Sequence, residues 1–489
     1  MLCLAIMHFA GAQVRYVDGS RPSSGDGTSW ATAYKTLAEA MQAAAGNTNI
    51  TQILVATGTY YPAGPQTSTN RDSAFTILRG NLRIFGGYPA GGGNRDLTNN
   101  PTFLSGEINN TATLTDNSFH IMVIAALASN ADSVVVDGFV FCWAYANDNS
   151  HTKTYNGQTI NKNMAGGLAM FACANGEKVT IRNCIFAANT VSDVGGGMVV
   201  RQSSPLIVNC VFQGNIGDYA GGLFTAAQSV ATVDHCTFAG NNDRVANGGG
   251  AMRNSSSSPI ITNTIMYGNA DGISNFNTSI PVISYSLIQG LTATTNGNIS
   301  GNTDPLFVGP VTYFNAATTD GNYRIGTGSP CIDKGSNAAI PAGIINDVIG
   351  NYRIIACATD IGAYEFPTYP NMAVINSQSV NNTTLCNGGS TSFSVTAANV
   401  TGYQWQVNTG AGFTNITNGA PYSGATTTTL TINPAVFSMN GYIYRCVASS
   451  TCNPPAISNQ ATLTVIPTTL YVGQQQSRQR KRRQLGHGL

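Results

Sequence analysis

NCIFAAN at 183–189, NCVFQGN at 209–215 and HCTFAGN at 235–241 decide the fold of this chain. A looser copy, NTIMYGN, follows at 263–269. The copies align at Phe186, Phe212, Phe238 and Met266, spaced 26, 26 and 28 residues apart. A second series runs between them: Gly166-Gly167-Leu168, Gly196-Gly197-Met198, Gly221-Gly222-Leu223 and Gly249-Gly250-Ala251. A period of this length signals stacked supersecondary units. Each unit holds short apolar strands separated by Asn and Gly turns. Such strands bury nothing alone, but they do when each coil stacks on the last at about 4.8 Å with side chains alternating in and out. Equivalent positions then form columns. The sequence predicts a cysteine ladder (Cys184, Cys210, Cys236) and an aromatic ladder (Phe186, Phe212, Phe238), both facing inward. It also predicts an Asn ladder (Asn189, Asn215, Asn241, Asn269) at a corner, because Asn tolerates the left-handed region and bonds turn backbone. The Gly pairs mark places where a side chain would clash or φ is positive.

Working outward, TAYKTLAEAMQAA (32–44) places Leu37, Ala40 and Met41 at helical spacing with Thr36 as N-cap. A helix there would cover the open first coil. Composition agrees with an all-β chain. Charged residues make up only 9% where about 25% is usual, and 54 residues are Gly. The formal net charge of +1 hides an asymmetry. Five of the 23 basic residues (Arg478, Arg480, Lys481, Arg482, Arg483) crowd the tail, so 23 less five leaves 18 against 22 acidic residues in the body. The body carries no electrostatic footprint for nucleic acid.

The F-x-x-N and Gly-Gly alternation resembles the right-handed parallel β-helix repeats of polymorphic outer-membrane surface proteins and of pectin-lyase-like folds. RYVDGSRPSSGDGTSWATAYKTLAEAMQAA (15–44), ITQILVATGTYYP (50–62) and LRIFGGYPAGGGNRDLTNNPTFLSGEI (82–108) resemble the opening of bacterial surface β-helices. DPLFVGP (304–310), SPCIDKGSN (329–337) and DIGAYE (360–365) resemble a closing segment of the choice-of-anchor Q type. In that segment Cys331 and Cys357 are candidates to clip the final coils. The resemblance implies a protein secreted or displayed on the surface of a bacterium.

The expected organisation is a signal peptide over 1–12, a β-helix over 13–366, a β-sandwich over 367–466 and a tail over 467–489. The apolar run 2–10 and the small-x-small set Ala10-Gly11-Ala12 suggest export without a basic n-region. No later stretch has the ~20 apolar residues of a membrane span. In 371–466, TSFSVTA (391–397), YQWQVN (403–408), TTLTI (428–432) and YIYRCVAS (442–449) alternate as strands. Trp405 with Tyr444 and Cys446 resembles an immunoglobulin-like core. Phe393 and Val395 stand where the partner cysteine would be, and Cys386, Cys446 and Cys452 are odd in number. The tail RKRRQLGHGL (480–489) fits neither domain. Read one nucleotide out of frame with codons the genetic code permits, it resembles GDGTSWATA (25–33), so it is expected to be a frameshifted start of a second β-helix. A solvated basic tail is the alternative.

Chemistry is sparse in the text. A lyase or glycosidase needs carboxylates clustered for calcium or for acid/base work. Asp193, Asp218 and Asp243 are the nearest approach, expected close together on adjacent coils as a calcium or glycan contact, or as ordinary turn residues. Arg182 and Arg201 have no carboxylate at the same repeat position. His235 occupies a ladder position otherwise held by Asn and reads as a structural donor. The insertion DNSHTKTYNGQTINKN (148–163) reads as a long polar loop suited to binding, or as a tolerated insertion. Neither a catalytic residue nor a metal-ligating set can be assigned, and no cofactor is implied beyond calcium. The leading expectation is a non-enzymatic adhesin-like or structural stalk contacting extracellular glycans or a host or neighbouring cell surface. The alternative is a polysaccharide lyase or glycoside hydrolase.

Overall fold

The computed structural model describes residues 12–62, 64, 69–109, 113–127, 133–173, 179–355, 358–367, 373–450 and 455–467. The segment up to 11 expected as a signal peptide, Cys357, Cys452 and the tail from 468 lie outside the described residues. The chain divides into two compact units near residue 368.

The first unit is a parallel β-helix. One coil shows the plan. Leu206–Val208 lies in the first sheet, Val211–Gln213 in the second, Ile216–Gly217 in the short fourth and Leu223–Ala226 in the third. The chain then re-enters the first sheet at Thr232–Asp234. Repetition builds sheets of nine, eight, four and seven strands. Register holds across coils: Ile185, Val211, Thr237, Ile265 and Leu287 are successive partners, as are Phe186, Phe212, Phe238 and Met266.

The aromatic ladder is a continuous stack, with ring centroids 4.7 Å apart for Phe186–Phe212 and 4.4 Å for Phe212–Phe238. It extends one coil further than the motif, to Phe141, 4.7 Å from Phe186. All four rings are buried. Each burial contributes roughly 1.5–3 kcal/mol, with about 0.5–1.5 kcal/mol more per ring pair. Cys184, Cys210 and Cys236 are buried free thiols that fill the core. Burial and the neighbouring cysteines raise the Cys210 thiol far above its ordinary range, so it stays protonated.

The Asn ladder differs from expectation. Asn189, Asn215, Asn241 and Asn269 turn inward, and their side chains bond neighbouring coils, with Asn241 Nδ2 also reaching the Ala239 carbonyl of its own coil at 3.4 Å. Asn189 Nδ2 donates to Asn215 Oδ1 (3.0 Å), Asn215 Nδ2 to Asn241 Oδ1 (2.9 Å) and Asn241 Nδ2 to Asn269 Oδ1 (2.8 Å). The left-handed residue is the one before each Asn: Ala188, Gly214, Gly240 or Gly268. A different column, Asn183, Asn209, His235 and Asn263, takes the left-handed corner between the first and second sheets. The Gly pairs answer to crowding: a Cβ on Gly222 would sit 2.4 Å from the Ala251 carbonyl oxygen of the next coil.

At the N-terminal end, Leu37–Gly46 is helical with a complete Thr36/Glu39 capping box. Its buried Leu37, Ala40, Met41 and Ala44 join the core that includes Val17, Ile53 and Phe75. The insertion is no loose loop. Thr152–Tyr155 and Gln158–Asn161 form an antiparallel hairpin, and its Tyr155 and Ile160 pack on Val123, Ala169 and Phe171 outside the third sheet. After the last coil, the segment 304–366 doubles back along the outside of the rod. Ile325, Cys331 and Ile361 cover Ile265 and Leu287, and Val348 and Ala363 cover Val211. Cys331 is a buried free thiol.

The second unit is a sandwich of two sheets, one of four strands and one built around Gly402–Asn408 and Ile443–Ser449. Trp405, Tyr444 and Cys446 are fully buried. Phe393 packs between them, with its ring centroid 5.5 Å from Tyr444 and 6.4 Å from Trp405. The Tyr444 hydroxyl pairs with that of Tyr422 at 3.1 Å. Cys446 is a free thiol, as is the exposed Cys386.

Candidate functional site

The three aspartates singled out from the sequence do not converge. The Tyr219 N–H donates to the Asp193 carbonyl and the Val245 N–H to the Asp218 carbonyl. Asp193 and Asp218 are therefore aligned, and the third rung of that column is Arg244. Arg244 Nε lies 2.9 Å from Asp218 Oδ1. Asp243 sits one position earlier, paired with Gly217, and interacts with Asp271 instead. Burial, with the Asp218 charge as a lesser cause, raises the Asp193 carboxyl. Among the described residues, no group of three or more His, Cys, Asp or Glu side chains is disposed to hold a metal ion.

A larger constellation lies at the corner between the first and second sheets, and it corrects the reading of Arg182. Asp137 occupies the same register position one coil earlier, and Arg182 Nε meets Asp137 Oδ2 at 2.6 Å. Arg95, from the loop after Leu82–Tyr88, reaches Asp137 Oδ1 at 2.6 Å. Asn183 Nδ2 donates to the same oxygen at 2.9 Å. Asp137 is fully buried, and two guanidinium groups and an amide saturate its carboxylate.

This ion triad forms the floor of a polar cleft of about 720 Å³. Asp96, Leu97, Thr98 and Asn99 form one wall, and the closing segment Gly343–Asn351 forms the other. Thr98 Oγ1 donates to the Ile349 carbonyl at 3.0 Å and ties the walls together. An apolar pocket of about 310 Å³, lined by Phe103, Phe139, Val348 and Tyr364, shares Leu97, Thr98, Asn183 and Ile349 with the cleft. Both volumes are in the range of ligand sites. The other carboxylates are committed. Asp96 accepts from the Thr98 and Asn99 N–H groups and from Asn99 Nδ2, bonds that lower its pKa. Asp347 accepts from the Ile349, Asn351 and Glu365 N–H groups. Arg182 Nε is used, and the cleft is otherwise edged by the amides of Asn99, Asn183, Asn346 and Asn351.

Beneath the closing segment the left-handed corner column becomes its anchor. Asn209 Nδ2 donates to the Asn346 carbonyl (2.7 Å) and Arg353 donates to Asn209 Oδ1 (3.0 Å). The Ser336 N–H donates to Asn263 Oδ1 (2.7 Å). His235 Nε2 pairs with Thr359 Oγ1 at 2.8 Å. Its Nδ1 lies 3.0 Å from Asp234 Oδ1 but lacks hydrogen-bond alignment. Burial and the Arg353 charge lower the His235 pKa to about 4, so the imidazole is neutral. Arg353 also meets Glu365 at 2.7 Å, both fully enclosed. His235 is thus a buried partner of Thr359 in the anchor of the closing segment. Arg201 is exposed, in register with Ala226 and Phe171.

Residues 170–303 match the family described as right handed beta helix region. A search of curated proteins found no match to this chain. Among solved structures, pectate lyase Pel9A is similar at 13% identity over 73% of this chain and 96% of its own, with a TM-score of 0.33. The Ig1-2 module of the Drosophila receptor protein tyrosine phosphatase DLAR is similar at 21% identity over 20% of this chain, with a TM-score of 0.17. The chain spans about half the length of that module and of a chicken TCR. Titin domain M7 is similar at 18% identity over 20% of this chain and 95% of its own, with a TM-score of 0.16. Among the described residues no helix is long and apolar enough to cross a membrane. The parallel ladders and the family match together make the first unit a right-handed parallel β-helix.

Proposed function

We propose that this chain is an exported bacterial surface protein, adhesin-like or a stalk, that contacts extracellular glycans through the cleft over Asp137. In this reading the segment 304–366 is a choice-of-anchor Q type closure and the second unit is an immunoglobulin-like spacer. The carrying observation is that Asp96, Asp137 and Asp347 in the cleft are all already bonded. A lyase or glycosidase needs a carboxylate or base open to its ligand. A cleft offering guanidinium and amide donors beside an apolar pocket suits a polyhydroxylated ligand held without being cut.

The test is a glycan-array and calorimetric screen of the full chain, run beside a depolymerisation screen on uronate glycans with and without calcium. Binding without product, weakened by Arg182→Ala, is the expected result. Product that vanishes in Asp218→Ala would replace this reading with the lyase alternative.

A further inference from the structure

We propose that Asp243 and Asp271 form a divalent-cation site suited to calcium, pinning together two of the last coils of the β-helix. Asp243 is only 8% exposed, and its Oδ2 has no hydrogen-bond partner. A buried orphan carboxylate oxygen is costly unless something positive meets it. The neighbouring Arg244 does not: its guanidinium is turned to Asp218 and to the Val191 carbonyl. What faces Asp243 is a second carboxylate, Asp271. Burial first, and that like charge second, push Asp243 up to about 6.

Gly248 packs against this carboxylate: a Cβ there would sit 2.7 Å from Asp243 Oδ2, so any other residue would press on it. Hard cations such as calcium take carboxylate oxygens, with water completing the shell. There is an approach as well. Asp271 lines an open cavity of about 390 Å³ with Asn247, Ser274 and Gln289, through which an ion and its waters can enter. The competing way to relieve two facing carboxylates is a shared proton, which needs no added ion.

The experiment separates them. The full chain is stripped with chelator at pH 7, then titrated calorimetrically with calcium chloride while the unfolding temperature of the β-helix is followed. Expected are one calcium site, a rise in unfolding temperature with calcium, and a loss of affinity of about tenfold or more in Asp243→Asn and Asp271→Asn. Both variants should also unfold higher than the wild type in chelator, because the facing charges are gone. No calcium binding by the wild type, with or without that gain, would overturn the proposal, and absence of the gain would then point to the shared proton. Calcium binding that survives in both variants would place the ion elsewhere and overturn it too.

Discussion

Replacing Asn215 tests the stacking principle most directly. Its side chain makes four buried bonds. Oδ1 accepts from the Asn189 N–H (3.2 Å) and Asn189 Nδ2 (3.0 Å), while Nδ2 donates to the Phe186 carbonyl (2.8 Å) and Asn241 Oδ1 (2.9 Å). Asn215→Ala removes all four bonds and leaves the Asn189 N–H without its partner, while Asn189 Nδ2 keeps the Phe141 carbonyl. The unsatisfied N–H costs about 1–3 kcal/mol and each further lost bond about 0.5–1.5 kcal/mol, so the expected loss is about 3 kcal/mol or more. Asn215→Asp is expected to be worse at neutral pH. It presents an acceptor to the Phe186 carbonyl and to Asn241 Oδ1, and it buries a charge with no counter-ion. Protonation restores a donor, so the Asp variant should recover toward wild type in acid while the Ala variant does not. Denaturant unfolding of the β-helix, followed by far-ultraviolet circular dichroism at pH 7 and pH 4.5, measures both. A loss under about 1 kcal/mol in both variants would refute the claim that the Asn column holds the coils in register.

Phe212→Ala removes the middle of the aromatic stack, where rings lie on both faces; it is expected to cost about 3–5 kcal/mol, read in the same unfolding assay. His235→Asn supplies the residue type that holds the same corner at 183, 209 and 263. Burial lowers the folded-state pKa of His235 to about 4 from an ordinary 6.5, so its contribution is present above about 6.5 and is lost as pH falls toward 4. The variant should therefore lose less stability than wild type between those pH values, and equal pH slopes would contradict the buried neutral imidazole.

The repeat was legible because the Phe and Asn columns face inward, where every coil meets the same neighbours and so keeps the same side chain. Phe141 escaped notice for two reasons. Its coil reads VVVDGFVF (134–141), without the Asn-Cys pair, and the hairpin stretches the interval to Phe186 to 45 residues. Asp137 was hidden with it, and so was the partner of Arg182. The aspartate row misled because its intervals from the buried columns differ: Asp193 stands seven residues after the aromatic, Asp218 six and Asp243 five, and it is Arg244 that shares the sixth place with Asp218. Exposed turns gain and lose residues freely, whereas an inward rung cannot. Register in a solenoid is therefore safest within its buried columns.

The position of the closing segment was written in the text in a different way. A strand with one face in water alternates, but a strand buried on both faces is apolar throughout. Of the five residues just before the aromatic column, Ile185, Val211, Ile265 and Leu287 point away from the core and are nevertheless apolar, with Val211, Ile265 and Leu287 fully buried; the fifth, Thr237, is buried too and accepts from the Ala363 N–H. Their counterparts outside the first sheet, Thr180, Leu206 and Thr232, are left partly open. One side of the rod is thus marked for covering, and the segment 304–366 covers it. This explains where the cleft lies. A repeating surface offers the same shallow relief at every coil and holds nothing in particular. Asymmetry enters where non-repeating chain crosses it, and here two such stretches, Arg95–Asn99 and Gly343–Asn351, cross beside the same corner. The ion triad of Arg95, Asp137 and Arg182 fastens the first stretch to the coils, and Asn209 with Arg353 fastens the second. The contacts that hold the cover in place are therefore the ones that shape the cleft. Loosening Asn209 should weaken ligand binding and closure together.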